Sequence, residues 1–419
     1  MTSTTHPSAT TSNSTGHASE GRSTERSNRL QSHAPYPRTE RQAEFIGLAN
    51  DLAEIAATNA PRHDRENSFP FDTFEALRSS GFLALTVPEE FGGRGATALE
   101  VMLAQERLAR GDGGVAFGST MSLINLAGQS NNQTWPAEIW ERVCRDVVKH
   151  GALINNVASE PELGSPSRGG TYATTGQWTQ NGWVINGRKS WATLSPALDY
   201  AVVMLTTIDE QGERSRGNIL VPMNLPGISI DQTWDNLGMR ASGSHDVVFQ
   251  NVVAPLENLL PTAQGAPGNA VSPWNLVTSA VYLGVATAAR DFAVDFARNR
   301  VPSGLGKPIA ELQTVQHRVA QMELLLLQSR SVLYGTVETW DRFPEHREEI
   351  GWQFAAAKYT VTNNAIAITD QALRVVGSVG LQKQYPLERY FRDVRAGLGN
   401  PPMDDIALTI IGKNALNLS

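Results

Sequence analysis

The spacing of apolar residues changes twice along this chain, from helical to alternating and back to helical, and that order restricts the fold more than any other feature. Between residues 37 and 150, Phe45, Leu48, Leu52 and Ile55 recur at intervals of three and four, and Phe74, Leu77 and Phe82 follow. Val87-Pro-Glu-Glu-Phe-Gly-Gly-Arg-Gly95 breaks the pattern as a turn before helical spacing resumes over Ala98–Arg110. From Gly151 to about Pro261 the short runs Trp183–Asn186, Tyr200–Leu205 and Asp246–Phe249 alternate between Gly, Asn and Pro, as the strands of a compact antiparallel β domain would. Helical spacing returns from about Asn269, where Leu312, Val315, Val319, Met322, Leu326 and Leu333 mark one face of a long helix packed in a bundle. The expected fold class is α+β, with helical, β and helical domains over 37–150, 151–262 and 263–419.

Residues 1–36 are rich in Ser, Thr, Asn, Gly and His without apolar periodicity, and read as a disordered tail. They lack the apolar stretch of a secretory signal. Arg22, Arg26 and Arg29 keep an organelle transit peptide open, and Glu20 and Glu25 oppose it. A net charge of -7 gives no reason to expect nucleic acid, which needs clustered Lys and Arg. Apolar runs such as Met322–Leu327 are far shorter than the ~20 residues of a membrane span, so no membrane is expected. The single cysteine, Cys144, forms no internal disulfide or thiolate cage and reads as a small buried apolar side chain in a cytoplasmic protein. No spacing of metal ligands appears.

Several short segments carry the chemistry. Ala158-Ser-Glu-Pro-Glu-Leu-Gly-Ser165 is followed by Asn186-Gly-Arg-Lys-Ser-Trp-Ala-Thr193 and Leu237-Gly-Met-Arg-Ala-Ser-Gly-Ser244. Further on come Arg298-Asn-Arg-Val-Pro-Ser-Gly-Leu-Gly-Lys-Pro-Ile309 with Gln313, Arg374-Val-Val-Gly-Ser-Val-Gly380 and Glu388-Arg-Tyr-Phe-Arg-Asp-Val-Arg395. Alone, each has a plain explanation; Asn186-Gly187, for one, is a hairpin-turn signal. Together, in this order, they resemble the motifs of the acyl-CoA dehydrogenase superfamily from about Pro37 to the end of the chain.

The resemblance implies an N-terminal helical domain, a middle antiparallel β-barrel domain and a C-terminal four-helix bundle. It also implies FAD as cofactor and a homodimer or homotetramer. By it, Ser159, Gly164 and Ser165 contact the flavin, Trp191 covers one flavin face, and Thr193 bonds near the reactive ring nitrogen. Pro166 stands where the family usually has Asp. Arg298 and Arg300 compete for the arginine that reaches the flavin diphosphate of a neighbouring subunit, a group that guanidinium geometry suits, and Gln313 belongs to the same segment. Gly377 and Gly380 stand where glycines permit approach to the adenine-side phosphates. Arg240 lies on the substrate side, facing either an anionic substrate group or a carboxylate of the protein.

The reaction is less determined than the fold. Desaturating an acyl-CoA requires a carboxylate to take the α-proton while hydride passes to flavin. Where the family carries that base in a Glu-Gly-Thr loop, this chain has Pro401, Pro402 and Met403; at the alternative position it has Trp274, followed by Asn275. Asp404 and Asp405 are the remaining candidates, and an Asp there is more often an N-cap. His245 and His317, which a hydroxylase would use to steady its substrate, are expected in packing or surface roles. Three readings follow in order. The first is a flavin monooxygenase of the two-component type, supplied by a flavin reductase, using FMN or FAD on a small organic substrate. The second is an acyl-CoA dehydrogenase with a displaced base, served by an electron-transfer flavoprotein. The third is a flavin-binding scaffold without activity.

Overall fold

The computed structural model describes residues 36–162, 171–261 and 271–418. Gly164 and Ser165 lie outside the described residues, as does nearly all of the N-terminal tail. The first helical part comprises α1 (Glu40–Glu66), α2 (Phe71–Ser79), α3 (Ala98–Leu108), α4 (Gly113–Asn132) and α5 (Ala137–His150). Local chemistry sets their starts. Thr97 and Glu100 form a reciprocal capping box at α3, and the Asp112 carboxylate accepts the backbone N–H groups of Gly114 and Val115 at 2.7 and 3.1 Å to open α4.

The middle part is one sheet of β1 (Ile154–Val157), β2 (Thr175–Thr179), β3 (Gly182–Lys189), β4 (Tyr200–Ile208), β5 (Arg214–Pro222), β6 (Ile228–Asp231), β7 (Asp246–Ala254) and β8 (Leu259–Leu260). Its order is β6-β7-β3-β2-β4-β5-β8, with β1 also on β4. The expected pure antiparallel pairing needs correction, because β1 and β2 both run parallel to β4, one beside its first half and the other beside its second. Asn186-Gly187, a turn signal only when read alone, forms no turn. It lies inside β3 at a register shift against β7.

Alternation along the strands gives the sheet two apolar faces. Ala201, Val203 and Leu205 of β4 join Trp183, Ile185, Ile219, Val221, Val247 and Phe249 in one core cluster. Val202 and Leu220 point the other way, against Ile139, Trp140, Val143, Cys144 and Val147 of α5. Cys144 is fully buried there, and burial pushes its thiol up to about 12.

The last part contains α6 (Val277–Asn299), α7 (Gln313–Arg342), α8 (Arg347–Ile350), α9 (Trp352–Val376), α10 (Leu387–Asp393) and α11 (Asp404–Ala415). The apolar face read from Leu312 onward is α7, with Leu312 itself as its N-cap. Helix α3 lies directly on α6, where a Cβ added to Gly284 would fall 2.3 Å from the Glu106 carbonyl oxygen. Beside that contact, Arg330 of α7 donates to Glu106 from Nε and Nη2 at 3.2 and 2.7 Å, and Tyr334 Oη also donates to Glu106. Arg330 reaches Thr287 of α6 as well, at 3.1 Å.

The Glu388–Arg395 segment works as a clamp. Arg392 pairs with Glu388 and with Asp64 of α1 and donates to Leu237 O at 2.8 Å, while Asp393 accepts the Met239 N–H at 2.6 Å. One short helix thus fastens the last part to a first-part helix and to the loop that enters β7. Among the described residues, no helix is long and apolar enough to cross a membrane.

Candidate flavin site

The ends of β1 and β3 bring the first two motifs side by side. Ser190 N donates to Ser159 O at 2.9 Å, so Ser159 sits beside the turn Ser190–Thr193. In that turn Trp191 adopts φ 57, a left-handed conformation uncommon for a bulky side chain. The result is a large aromatic turned outward: Trp191 is 63% exposed and meets Trp234 edge-to-face at 5.2 Å.

Two residues on in the same turn, Thr193 is buried. Its Oγ1 lies 2.9 Å from Ser244 Oγ, which lies 2.8 Å from Ser242 Oγ, and all three residues are buried. Asn155 Nδ2 fixes the turn by donating to Thr193 O at 3.0 Å. The two serines belong to the Leu237–Ser244 motif, so this third motif reaches the same turn from the far side. Their part in the hydroxyl chain was not read from the sequence, although the Ser-x-Ser spacing was in view.

Arg240 takes the protein-carboxylate alternative. Its Nε donates to Asp64 O at 2.8 Å, and Nη1 reaches Asp235 at 2.9 Å and Asn236 O at 3.0 Å. His245 is likewise occupied: its Nδ1 accepts the Trp234 N–H at 3.0 Å, and burial lowers its pKa, so it serves as a neutral acceptor. His317 is exposed on α7.

A cavity of about 310 Å³ opens at the end of α9, lined by Asp370, Leu373, Arg374, Gly377 and Leu381. Gly377 ends the helix at φ 73 with nothing within 4 Å of an added Cβ, so it leaves open space beside a backbone that favours glycine. Gly380 differs, because a Cβ there would press on Leu387, Leu373 and Val376, which accounts for that glycine by packing. Arg298, Arg300 and Gln313 are all exposed around the connection from α6 to α7, and neither arginine makes an ion pair among the described residues.

At the position of the missing base the chain holds no carboxylate. Pro401 and Pro402 lead to Met403, and Asn400 Nδ2 donates to the buried Tyr282 hydroxyl at 2.5 Å. Neither Asp caps the last helix as expected: Met403 is the N-cap, without a side-chain capping bond. Asp404 instead turns toward α9, accepting from Asn363 at 3.0 Å with Lys358 Nζ at 3.6 Å, and Asp405 is exposed. Trp274 is half-buried in a single helical turn, Pro273–Leu276, ahead of α6.

These features fit a flavin. A turned-out indole offers a face to stack, a buried hydroxyl chain offers a donor or acceptor to a ring atom, and an open glycine corner beside Arg374 offers room for phosphate. Models of the acyl-CoA dehydrogenase N-terminal, middle and C-terminal domains match residues 39–133, 156–252 and 276–399. The acyl-CoA dehydrogenase-type protein YdbM of Bacillus subtilis is 39% identical over 371 residues, covering 88% of this chain and 96% of its own. The mitochondrial short-chain specific acyl-CoA dehydrogenase of Rattus norvegicus is 31% identical over 359 residues, covering 82% of this chain and 81% of its own. Among solved structures, KijD3 in complex with FMN and dTDP-3-amino-2,3,6-trideoxy-4-keto-3-methyl-D-glucose aligns with a TM-score of 0.79 at 26% identity, over 92% of this chain and 96% of that one.

Proposed function

Because the chain belongs to the acyl-CoA dehydrogenase family, and is by that membership a flavin-dependent oxidoreductase, we propose that it is a flavin monooxygenase of the two-component type acting on a small organic substrate. The observation that carries this reading is the replacement of the base loop by Pro401, Pro402 and Met403, with Trp274 at the alternative position and Asp404 committed to Asn363 and Lys358. Without a carboxylate to take an α-proton, desaturation lacks a required group. Oxygen insertion has no such requirement. The FMN bound by KijD3, a relative in fold at 26% identity, supports the same direction.

When bound, the flavin would supply the electrons and the oxygen chemistry. The chain's own residues would do the rest. Ser159 and the backbone around it would hold the ring edge, Trp191 would cover one face, and Thr193 would direct its hydroxyl at a ring atom. Arg374 and Gly377 would receive the phosphate end, with Arg298 or Arg300 reaching the same phosphates of a second copy. Those arginines carry the further proposal of a homo-oligomer.

A second reading, acyl-CoA dehydrogenation, is favoured by the 39% identity to YdbM and the 31% identity to the rat enzyme. Two measurements on the purified holoprotein separate them: anaerobic titration of its flavin with a panel of acyl-CoA thioesters, and oxygen uptake in the presence of a flavin reductase. Oxygen uptake with no bleaching is expected. Stoichiometric bleaching by any acyl-CoA refutes the monooxygenase reading.

A further inference from the structure

Two residues in the flavin-side motifs have no cofactor role in the reading above, Glu160 in Ser159-Glu-Pro161 and Lys189 in Asn186-Gly-Arg-Lys189. They face each other. Lys189 Nζ lies 2.7 Å from Glu160 Oε1, and the two side chains are 0% and 3% exposed. The ammonium also donates to Ala158 O at 3.3 Å and lies 4.3 Å from the centre of the Tyr172 ring. Glu160 Oε1 also accepts the backbone N–H of Thr174 at 3.0 Å, and its Oε2 accepts that of Ala173 at 2.7 Å.

The sheet topology explains why a carboxylate is wanted there. β1 ends at Val157 opposite Val203, and β2 begins at Thr175 opposite Thr206, so both occupy the same edge of β4. The two strands meet that edge at neighbouring places on β4, Val203 and Thr206. At the second of these, Thr206 N donates to Thr174 O at 2.9 Å and Thr206 Oγ1 to Tyr172 O at 2.7 Å, while the N–H groups of Ala173 and Thr174 turn to Glu160. One carboxylate therefore joins the departing strand, the returning strand and, through Lys189, the end of β3. Burying an ion pair is seldom the most stable way to fill such a space, which points to a requirement of position.

We infer that Glu160 and Lys189 are positioning residues that lock the exit of β1, the entry of β2 and the end of β3 into one unit, so that Ser159 on one side and Trp191 and Thr193 on the other meet the flavin in fixed relation. This rests on the flavin reading of the site. The direct bond from Ser190 N to Ser159 O is the local tie, and the ion pair is the anchor beneath it.

The pair also carries a pH signature. Burial pulls Lys189 down to about 8 against the hydrogen bond and charge of Glu160. Among the described residues, the charged and titratable groups around it besides Glu160 are Tyr172, whose hydroxyl burial pushes up, and Arg216, which lies 5.8 Å from the centre of the Tyr172 ring. Raising the pH through 8 removes the ammonium and leaves Glu160 without its counter-charge. Flavin affinity should fall over that range. The contribution of Lys189 to stability moves the other way, because its folded pKa lies below the unfolded 10.5, so deprotonation relieves the burial of charge.

The test uses the full-length chain, its Lys189→Met and Glu160→Gln variants, and the double variant, with FAD and FMN dissociation constants measured by flavin fluorescence below and above pH 8. Each single variant should weaken flavin binding by about tenfold or more. The fall in wild-type affinity above pH 8 should vanish in Glu160→Gln/Lys189→Met, which buries no charge and covers the outcome in which a single variant fails to fold. A folded Lys189→Met or Glu160→Gln that binds within about twofold of wild type overturns the inference. A wild-type chain that binds neither FAD nor FMN refutes the flavin reading itself.

Discussion

Replacing Glu106 by Gln keeps the shape of the side chain and removes its charge, leaving the Arg330 guanidinium buried beside an amide. Glu106 is 1% exposed and Arg330 8%, so solvent screens neither. Burial alone would raise the Glu106 carboxyl, but Arg330, Arg107 and the Tyr334 hydroxyl outweigh it and hold the pKa down at about 2 against an ordinary 4.5. A gap of 2.5 units at about 1.4 kcal/mol each gives about 3 kcal/mol of stability at neutral pH. Breaking a buried ion pair by removing one partner costs about 3 to 5 kcal/mol, so the two routes agree. Because the folded pKa is depressed, this contribution is complete above pH 4.5 and drains away as pH falls toward 2. Urea unfolding of wild type and Glu106→Gln at neutral pH, and again in acid, measures both parts. A loss of about 3 kcal/mol at neutral pH, shrinking in acid, is expected. A neutral-pH difference below about 1 kcal/mol would refute the reasoning, as would a Glu106→Gln/Arg330→Met double variant no more stable than Glu106→Gln alone.

Three further outcomes are expected. Asp404→Asn should leave turnover largely intact, since its carboxylate is held by Asn363 and Lys358; a loss of about a thousandfold in steady-state kinetics, the scale of a missing general base, would revive the displaced-base dehydrogenase. Burial and the neighbouring Asp112 push Asp393 up to about 7 in spite of Arg389, so the folded state keeps a proton that the unfolded state releases and stability falls as pH rises from 3.8 to 7. Asp393→Asn, whose carbonyl can still accept the Met239 N–H, should flatten that slope in urea unfolding, gaining up to about 4 kcal/mol at the upper end. Gly377→Ala has room for its methyl yet should cost about 1 to 3 kcal/mol for φ 73, seen in the same assay.

The long-range order of elements was legible because periodicity survives tertiary packing: α7 was visible in the 3–4 spacing from Leu312 to Leu333, and its observed span is Gln313–Arg342. The sharing of the β4 edge by β1 and β2 was not, since strand pairing leaves no mark on either strand's own alternation. Asn186-Gly187 signals a turn when read alone; only its place in the ordered motifs marks it as strand, where it lies at a register shift against β7. Arg240 stayed open between two possible partners, because residue type alone cannot tell a substrate anion from Asp64 and Asp235. The proline-rich base loop was readable as an absence. What lies around it depends on side chains from α6 and α9, such as Tyr282 and Asn363, that no motif includes.

The burial of Cys144 has a practical side. With its thiol sealed between α5 and the sheet and pushed up to about 12, the native chain presents almost no thiolate at neutral pH to maleimides or nitroxide reagents. A cysteine introduced at any exposed site, such as the tip of α11 or the connection after α6, would therefore be labelled alone. Spectroscopic distances between the three parts of the fold, with and without flavin, can be measured without first engineering a cysteine-free protein.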